Sequence, residues 1–175
     1  MNMLSLLQQR RSHRKFLEQP VEQEKIDQLL HNALMSPASK SSNPWEFIVV
    51  TNAATNEALS KAKKFGSAFV AGAPLSIVLI ADPNKSDVWM EDCSVVAFNL
   101  QLTAEELGLG SCWCQIRRRE SPEEGVMADA VVKQVLNIPE PYEVECIISI
   151  GYKGDVRKPF NEDKLQFDKI HLGKF

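Results

Sequence analysis

The stretch DCSVVAFNLQLTAEELGLGSCWCQIR occupies residues 92–117 of a 175-residue chain. Its first half belongs to a helix expected over residues 87–107, about six turns long. Val95, Val96, Ala97, Phe98, Leu100 and Leu102 make the middle of that helix apolar nearly all round. A helix of that kind is expected at the centre of the molecule, buried. Gly108 and Gly110 end it, glycine being the residue best suited to a left-handed C-terminal cap. A strand is then expected over 111–116, with Cys112 and Cys114 on one side and Trp113 between them.

Working outward, strands are expected at 45–51, 75–81 and 144–150, the second a continuous apolar run of the kind buried on both faces. Helices are expected at 2–10, 21–35, 52–65, 67–72 and 121–136. The last is predicted from Ser121 as N-cap, Pro122 at the first helical position and Glu123 and Glu124 in the first turn. Polar or proline-bounded loops fall at 36–44, 82–84 and 139–142, an extended exit at 16–20, and a tail without strong period at 161–175. Four strands covered by helices imply an α+β or α/β sheet, read as one domain over residues 1–175 with no repeat or linker.

The chain is 44% hydrophobic and 25% charged, with a net charge of −3. Its pI of about 5.7 argues against nucleic acid as the partner. No apolar run approaches the ~20 residues that span a bilayer, and no signal peptide is visible, so no membrane contact and a cytoplasmic location are expected. Cys93, Cys112, Cys114 and Cys146 form no CxxC pair and are read as reduced and packed. His13, His31 and His171 are too scattered for a zinc cluster. There is no GxSxG elbow, Walker A loop, HExxH pair or GxGxxG fingerprint, since Gly108–Gly110 follows a helix rather than a strand. If the chain is an enzyme, a cofactor brings the chemistry.

Three pieces are candidates for holding one. The cationic knot at 10–15 (Arg10, Arg11, Ser12, Arg14, Lys15) suits a phosphate, because arginine forks donate paired bonds; the plain alternative is a solvated turn. The loop 36–44 offers small hydroxyl and amide groups, or is simply a connection. The strand 111–117 offers Gln115 and Arg117, or is core. Trp113, Cys112 and Cys114 are read as packing, Lys61, Lys63 and Lys64 as a solvated face, and His13 and Lys15 as surface. Glu91 and Asp92 are given no catalytic role.

Taken in order, RRSHRKF (10–16), SPASKSSNPWEFIVV (36–50), APLSIVLIAD (73–82), the stretch at 92–117 and PEPYEVECIISIGYKG (139–154) resemble the nitroreductase family of FMN-dependent oxidoreductases. The resemblance covers almost the whole chain. It implies an α+β fold with a central mixed, mostly antiparallel sheet covered by helices, a long buried central helix, and a homodimer with FMN at the interface. It implies ping-pong hydride transfer from NAD(P)H through flavin N5 to a nitroaromatic or quinone. The alternative is a flavin-binding protein of the same fold with another electron donor or little nitroreductase turnover. Carried over by position, Arg10 and Ser12 would hold the phosphate, Arg11 would add a backbone or side-chain contact nearby, and Arg14 would stand by the flavin N1/O2 edge. Pro37, Ala38, Ser39 and Ser41 would come from the other subunit. Gln115 and Ile116 would approach the N5/O4 side, and Lys164 or Arg157 the phosphate. No side chain need be catalytic and no metal is implied. Three departures stand out: Ser41 and Asn43 replace an asparagine and a glutamine of the family loop, Lys40 is unusual there, and little chain lies between Ile116 and Ser121, where larger members carry an insertion that shapes the substrate pocket.

Overall fold

A computed structural model describes residues 2–175. Its elements are α1 (Met3–Gln9), α2 (Gln23–Leu34), β1 (Trp45–Val50), α3 (Ala53–Ser60), β2 (Leu75–Ala81), α4 (Trp89–Glu106), β3 (Gly110–Gln115), α5 (Ala128–Leu136) and β4 (Glu143–Gly151). Residue 1, the first of the expected 1–175 span, lies outside the described residues. The strands form one sheet in the order β1-β2-β4-β3, every neighbouring pair antiparallel. The parallel element is a single bridge, Ser12 to Ser111, at the β3 edge. This settles the choice left by the sequence: the architecture is α+β.

The sheet is a middle layer. Side chains alternate along each strand, so β2 sends Leu75, Ile77, Leu79 and Ala81 to a core shared with α2 and α4. It sends Val78 and Ile80 to a second core with Leu59 of α3 and Ala128 and Val132 of α5. β4 divides likewise, with Cys146, Ile148 and Ile150 facing one side and Val144 and Ile147 the other. That double burial explains the unbroken apolar runs.

Helix α4 buries Cys93, Val96, Ala97, Leu100 and Ala104 against the sheet but leaves Val95 46% and Phe98 42% exposed in the single chain. Its end follows the cap chemistry read from Gly108. That residue has φ +76°, its N–H bonds the Glu105 carbonyl at 3.0 Å, and the Leu109 N–H reaches back to Ala104 at 2.8 Å. The double closure satisfies two orphan carbonyls and turns the chain directly into β3.

Two expected helices are shorter than read. The one over 52–65 stops at Ser60, and 67–72 contains only a 3-10 turn at Ala68–Val70. The helix predicted from Ser121 starts at Ala128 instead. Ser121 Oγ does accept a backbone N–H, but from Glu123 two residues on, and Gly125 takes φ +77°. Ser121 N–H then closes onto the Val126 carbonyl at 2.9 Å, making a bridged loop between Glu120 and Met127. A left-handed residue four positions in breaks the helix that the cap residue promised.

Candidate functional site

The basic segment 10–16 leaves α1 and runs along the β3 edge. His13 N–H bonds the Ser111 carbonyl at 2.9 Å, and the Gly154 N–H bonds the Lys15 carbonyl at 2.9 Å. Two glycines paired in register, Gly110 and Gly151, admit it. A Cβ on Gly110 would sit 2.9 Å from His13 Cβ, and one on Gly151 would sit 2.6 Å from Pro74 Cδ and 3.1 Å from Phe16. Because the segment is extended, its side chains alternate. Arg14 enters one cleft, while Arg11 and His13 enter another.

The first cleft, about 630 Å³, is walled by Phe65, Phe69 and Trp113 and carries five cations, Arg14, Lys63, Lys64, Arg118 and Arg119, against one carboxylate, Glu120. The Arg14 guanidinium lies 5.9 Å from the Phe69 ring centre. Burial pushes the Cys112 thiol up, opposed by the charges of Arg14, Arg157 and Lys63 and by the Ser12 side chain. Burial likewise pushes Cys114 up to about 11. All four cysteines are free and buried, so none is a ready thiolate nucleophile.

The second cleft, about 740 Å³, is lined by Arg11, His13, Lys153, Arg157 and Lys158 against two carboxylates, Glu105 and Asp155, and part of that charge is paired. His13 Nδ1 lies 2.6 Å from Asp155 Oδ1, Arg157 Nη1 donates to Asp155 Oδ2 at 3.3 Å, and Lys153 Nζ donates to Glu105 at 2.6 Å. Burial pushes the Asp155 carboxyl up, but the hydrogen bond from His13 and the charges of His13 and Arg157 outweigh it and hold the group below its ordinary range. His13, expected at the surface, is only 4% exposed.

The strand end is a locked network. Trp113 Nε1 donates to Gln115 Oε1 at 2.8 Å, and Gln115 Nε2 donates to Glu145 Oε1 at 3.2 Å. Gln115 thus presents a fixed side chain to the first cleft. Ile116 does not: its side chain is fully buried and its N–H is directed at the Glu145 carbonyl at 3.3 Å. Glu145 Oε2 has no hydrogen-bond partner, with Arg117 Nε 3.9 Å away. Burial raises the Glu145 carboxyl above its ordinary value of 4.5, in spite of Gln115 and Arg117. Between the unfolded value and that raised one, the folded chain holds more protons than the unfolded one. Stability therefore falls as pH rises through the window above 4.5. Glu145→Gln is expected to remove that slope, seen as a flatter plot of urea midpoint against pH; an unchanged slope would show that Glu145 does not cause it.

The loop 36–44 is held by α4. Asp92, 6% exposed, accepts from Ser39 N–H and Ser86 Oγ, each at 2.8 Å. Asn99 Nδ2 donates to Ser36 Oγ at 2.9 Å. Lys40, Ser41 and Asn43 all take positive φ, at 52°, 53° and 41°. Strain of that kind in non-glycine residues is held in place by surrounding structure and gathers at functional loops. Pro37, Ala38, Ser39 and Ser41 line neither cleft of their own chain.

Of the residues singled out from the sequence, Arg14 and Gln115 share the first cleft, Arg11 and Arg157 share the second, and Ser12 lies between them on the β3 edge. Arg10 caps α1, its N–H bonded to Leu6, and Lys164 stands in an exposed 3-10 turn; neither lines a cleft. Arg118 and Arg119 escaped sequence reasoning, Lys63 and Lys64 were read as a solvated face but line the first cleft, and Asp92, given no catalytic role, is a positioning carboxylate. The available signals were the lysine pair just before Gly66 and the run of three arginines that leaves β3.

An antiparallel sheet between helical layers, with a cationic aromatic cleft at its β3 edge, defines an α+β ligand-binding protein. The chain belongs to the nitroreductase family, whose sequence model matches residues 7–64 and 56–152. A solved FMN-dependent nitroreductase from Clostridium difficile R20291 is 45% identical with a TM-score of 0.96, over 99% of this chain and 100% of that one. A Parabacteroides distasonis structure, provisionally named NADH dehydrogenase/NAD(P)H nitroreductase, is 30% identical with a TM-score of 0.89, over the full length of both chains. A Methanothermobacter thermautotrophicus protein with the same provisional name is 32% identical over 100% of this chain and 88% of its own. Among the described residues, no helix is long and apolar enough to cross a membrane.

Proposed function

We propose that the chain is an FMN-dependent oxidoreductase that takes reducing equivalents from NAD(P)H and passes them to an electron-poor acceptor such as a nitroaromatic or quinone. The observation that carries this reading is the first cleft, where Arg14 and Lys63 stand beside aromatic walls and a fixed Gln115. A flat ring system bearing a phosphate of about −1.5 to −2 charges matches that set of donors. When bound, FMN supplies hydride chemistry in two half-reactions, donor first and acceptor second in the vacated place.

The chain's own residues place and polarise. Arg14 and Lys63 keep positive charge where the ligand gains negative charge, an effect strongest where water is excluded. Phe69 and Trp113 provide that exclusion. Gln115 is held in one orientation by Trp113 and Glu145, so its placement costs little on binding. By position in the family, Arg10 and Ser12, with Lys164 or Arg157, serve the phosphate end, although none of the four lines the first cleft of its own chain, and Arg11 supports the segment from the second cleft. Ile116 contributes by position, its N–H being engaged.

The same reading makes the protein a homodimer. Met3, Leu4 and Leu7 of α1, Val95 and Phe98 of α4, and Val156, Leu172 and Phe175 of the tail are exposed in the single chain. A second copy that covers them removes a large apolar surface from water. It also brings Pro37, Ala38, Ser39 and Ser41 to the partner's cleft. The visible spectrum of the purified protein, followed on anaerobic addition of NADH or NADPH, tests the reading. A yellow protein that bleaches and then recovers with a quinone supports it. A colourless protein that takes up no FMN sinks it, and bound FMN that neither nicotinamide reduces points to another electron donor.

A further inference from the structure

The turn that leaves β3 carries three consecutive arginines with different fates. Arg117 turns inward, its guanidinium 5.5 Å from the Trp89 ring centre and its Nε 3.9 Å from Glu145 Oε2. Arg119 N–H closes the turn onto the Ile116 carbonyl at 3.1 Å. Arg118, the third residue of that turn, takes φ 57°. Glycine and asparagine occupy such a position at low cost, whereas an arginine there is strained. The surroundings enforce the strain. Arg117 N–H bonds the Glu145 carbonyl at 3.1 Å, Ala128 N–H bonds the Arg119 carbonyl at 2.8 Å, and Lys64 N–H bonds the Glu120 carbonyl at 3.0 Å.

The outcome is a pair of exposed guanidiniums, Arg118 and Arg119, at the wall of the first cleft, with Arg118 also bordering the adjoining groove over Met90 and Ser94. Neither forms an ion pair among the described residues, in contrast to Lys64, which stands 3.8 Å from Glu120. In the function proposed above, Arg14 and Lys63 serve the flavin ring and Arg10 and Ser12 its phosphate, which leaves Arg118 and Arg119 without a role toward the flavin. Arg118 and Arg119 are therefore surplus exposed charge on the wall of the first cleft, available to a second ligand.

We propose that Arg118 and Arg119 grip the 2′-phosphate of the dinucleotide donor and make NADPH the preferred one. This rests on the function proposed above. A phosphate monoester offers three acceptor oxygens and up to two negative charges, the group that paired guanidiniums bind best. Arginine accommodates the 2′-phosphate in Rossmann dinucleotide sites, and the same fork chemistry is available here on a different fold. Quinones and nitroaromatics carry no comparable anion.

Calorimetric titration of the purified protein with adenosine 2′,5′-bisphosphate and with adenosine 5′-monophosphate tests the proposal directly. The bisphosphate is expected to bind about tenfold or more tightly, the size of effect that charge-assisted hydrogen bonds supply. Arg118→Gly suits the left-handed backbone and so leaves the turn intact while deleting the guanidinium. With Arg119→Ala added, the preference should collapse to within about twofold, and the NADPH-to-NADH ratio of kcat/KM should fall about tenfold in step. Equal affinities in the unaltered protein, or a preference retained in the double variant, would overturn it. Failure of the functional reading is distinguishable: it shows as absence of bound flavin, whereas the nucleotide preference is read whether or not flavin is present.

Discussion

Arg14→Glu is expected to lower FMN affinity by roughly a hundredfold or more, so that the protein purifies largely colourless at ordinary flavin concentrations. The substitution removes one charge-assisted contact, about 1.5–3 kcal/mol. It also places a carboxylate among groups arranged for an anion, a repulsion of order 1–4 kcal/mol at 4 Å for surface to semi-buried dielectric. Each 1.4 kcal/mol is a factor of ten. The fold should barely notice, because Arg14 is exposed and meets the Phe69 ring only at 5.9 Å. The melting temperature of the flavin-free protein should therefore match the unaltered chain. Lys61→Glu is the control: Lys61 is 71% exposed, pairs with Glu57 at 2.8 Å and lies outside the cleft. A yellow Arg14→Glu protein with unaltered affinity would remove the first cleft from consideration as the flavin site.

Asp92→Ala is expected to cost about 3 kcal/mol of stability, because two hydrogen bonds to a buried carboxylate disappear and the Ser39 N–H and Ser86 hydroxyl lose their acceptor. For a chain of this size that corresponds to a fall of about 6–12 °C in melting temperature. A second consequence distinguishes it from an ordinary core lesion. The loop 36–44 holds three residues at positive φ, and Asp92 fixes its first turn. Without the anchor the loop relaxes, and in the proposed dimer the partner's cleft loses a wall, so flavin content should fall along with stability. Asp92→Asn retains one acceptor oxygen and should restore more than half of both losses. If Asp92→Ala melts with the unaltered chain and keeps its flavin, the loop is anchored by something else.

The sequence was most informative where a local rule had no competitor. The apolar runs at 75–81 and 144–150 became the two inner strands with nearly the expected bounds. Gly108 ended α4 through the double closure its residue type favours. It misled where one local signal was outvoted by another nearby, as at Ser121, where a cap-like serine and a proline were overruled by Gly125 and by pairing between Glu120 and Met127. The cationic knot was legible as a group but not in its division, because alternation about an extended backbone sends Arg14 and Arg11 to different clefts.

By itself, then, the sequence determined the elements, the buried layers, the order of the family's motifs and the presence of a basic segment near the N-terminus. These depend on periodicity, caps and turns, which act over a few residues. Only the tertiary structure decided which cations face one another. Lys63 and the adjacent pair Arg118 and Arg119 join Arg14, so that three separate parts of the chain meet. They meet because Gly110 and Gly151 pair in register and leave room for residues 12–16 against the β3 edge. Electrostatic convergence of that kind is a property of strand pairing and close approach, and residues far apart in the chain carry no local mark of it.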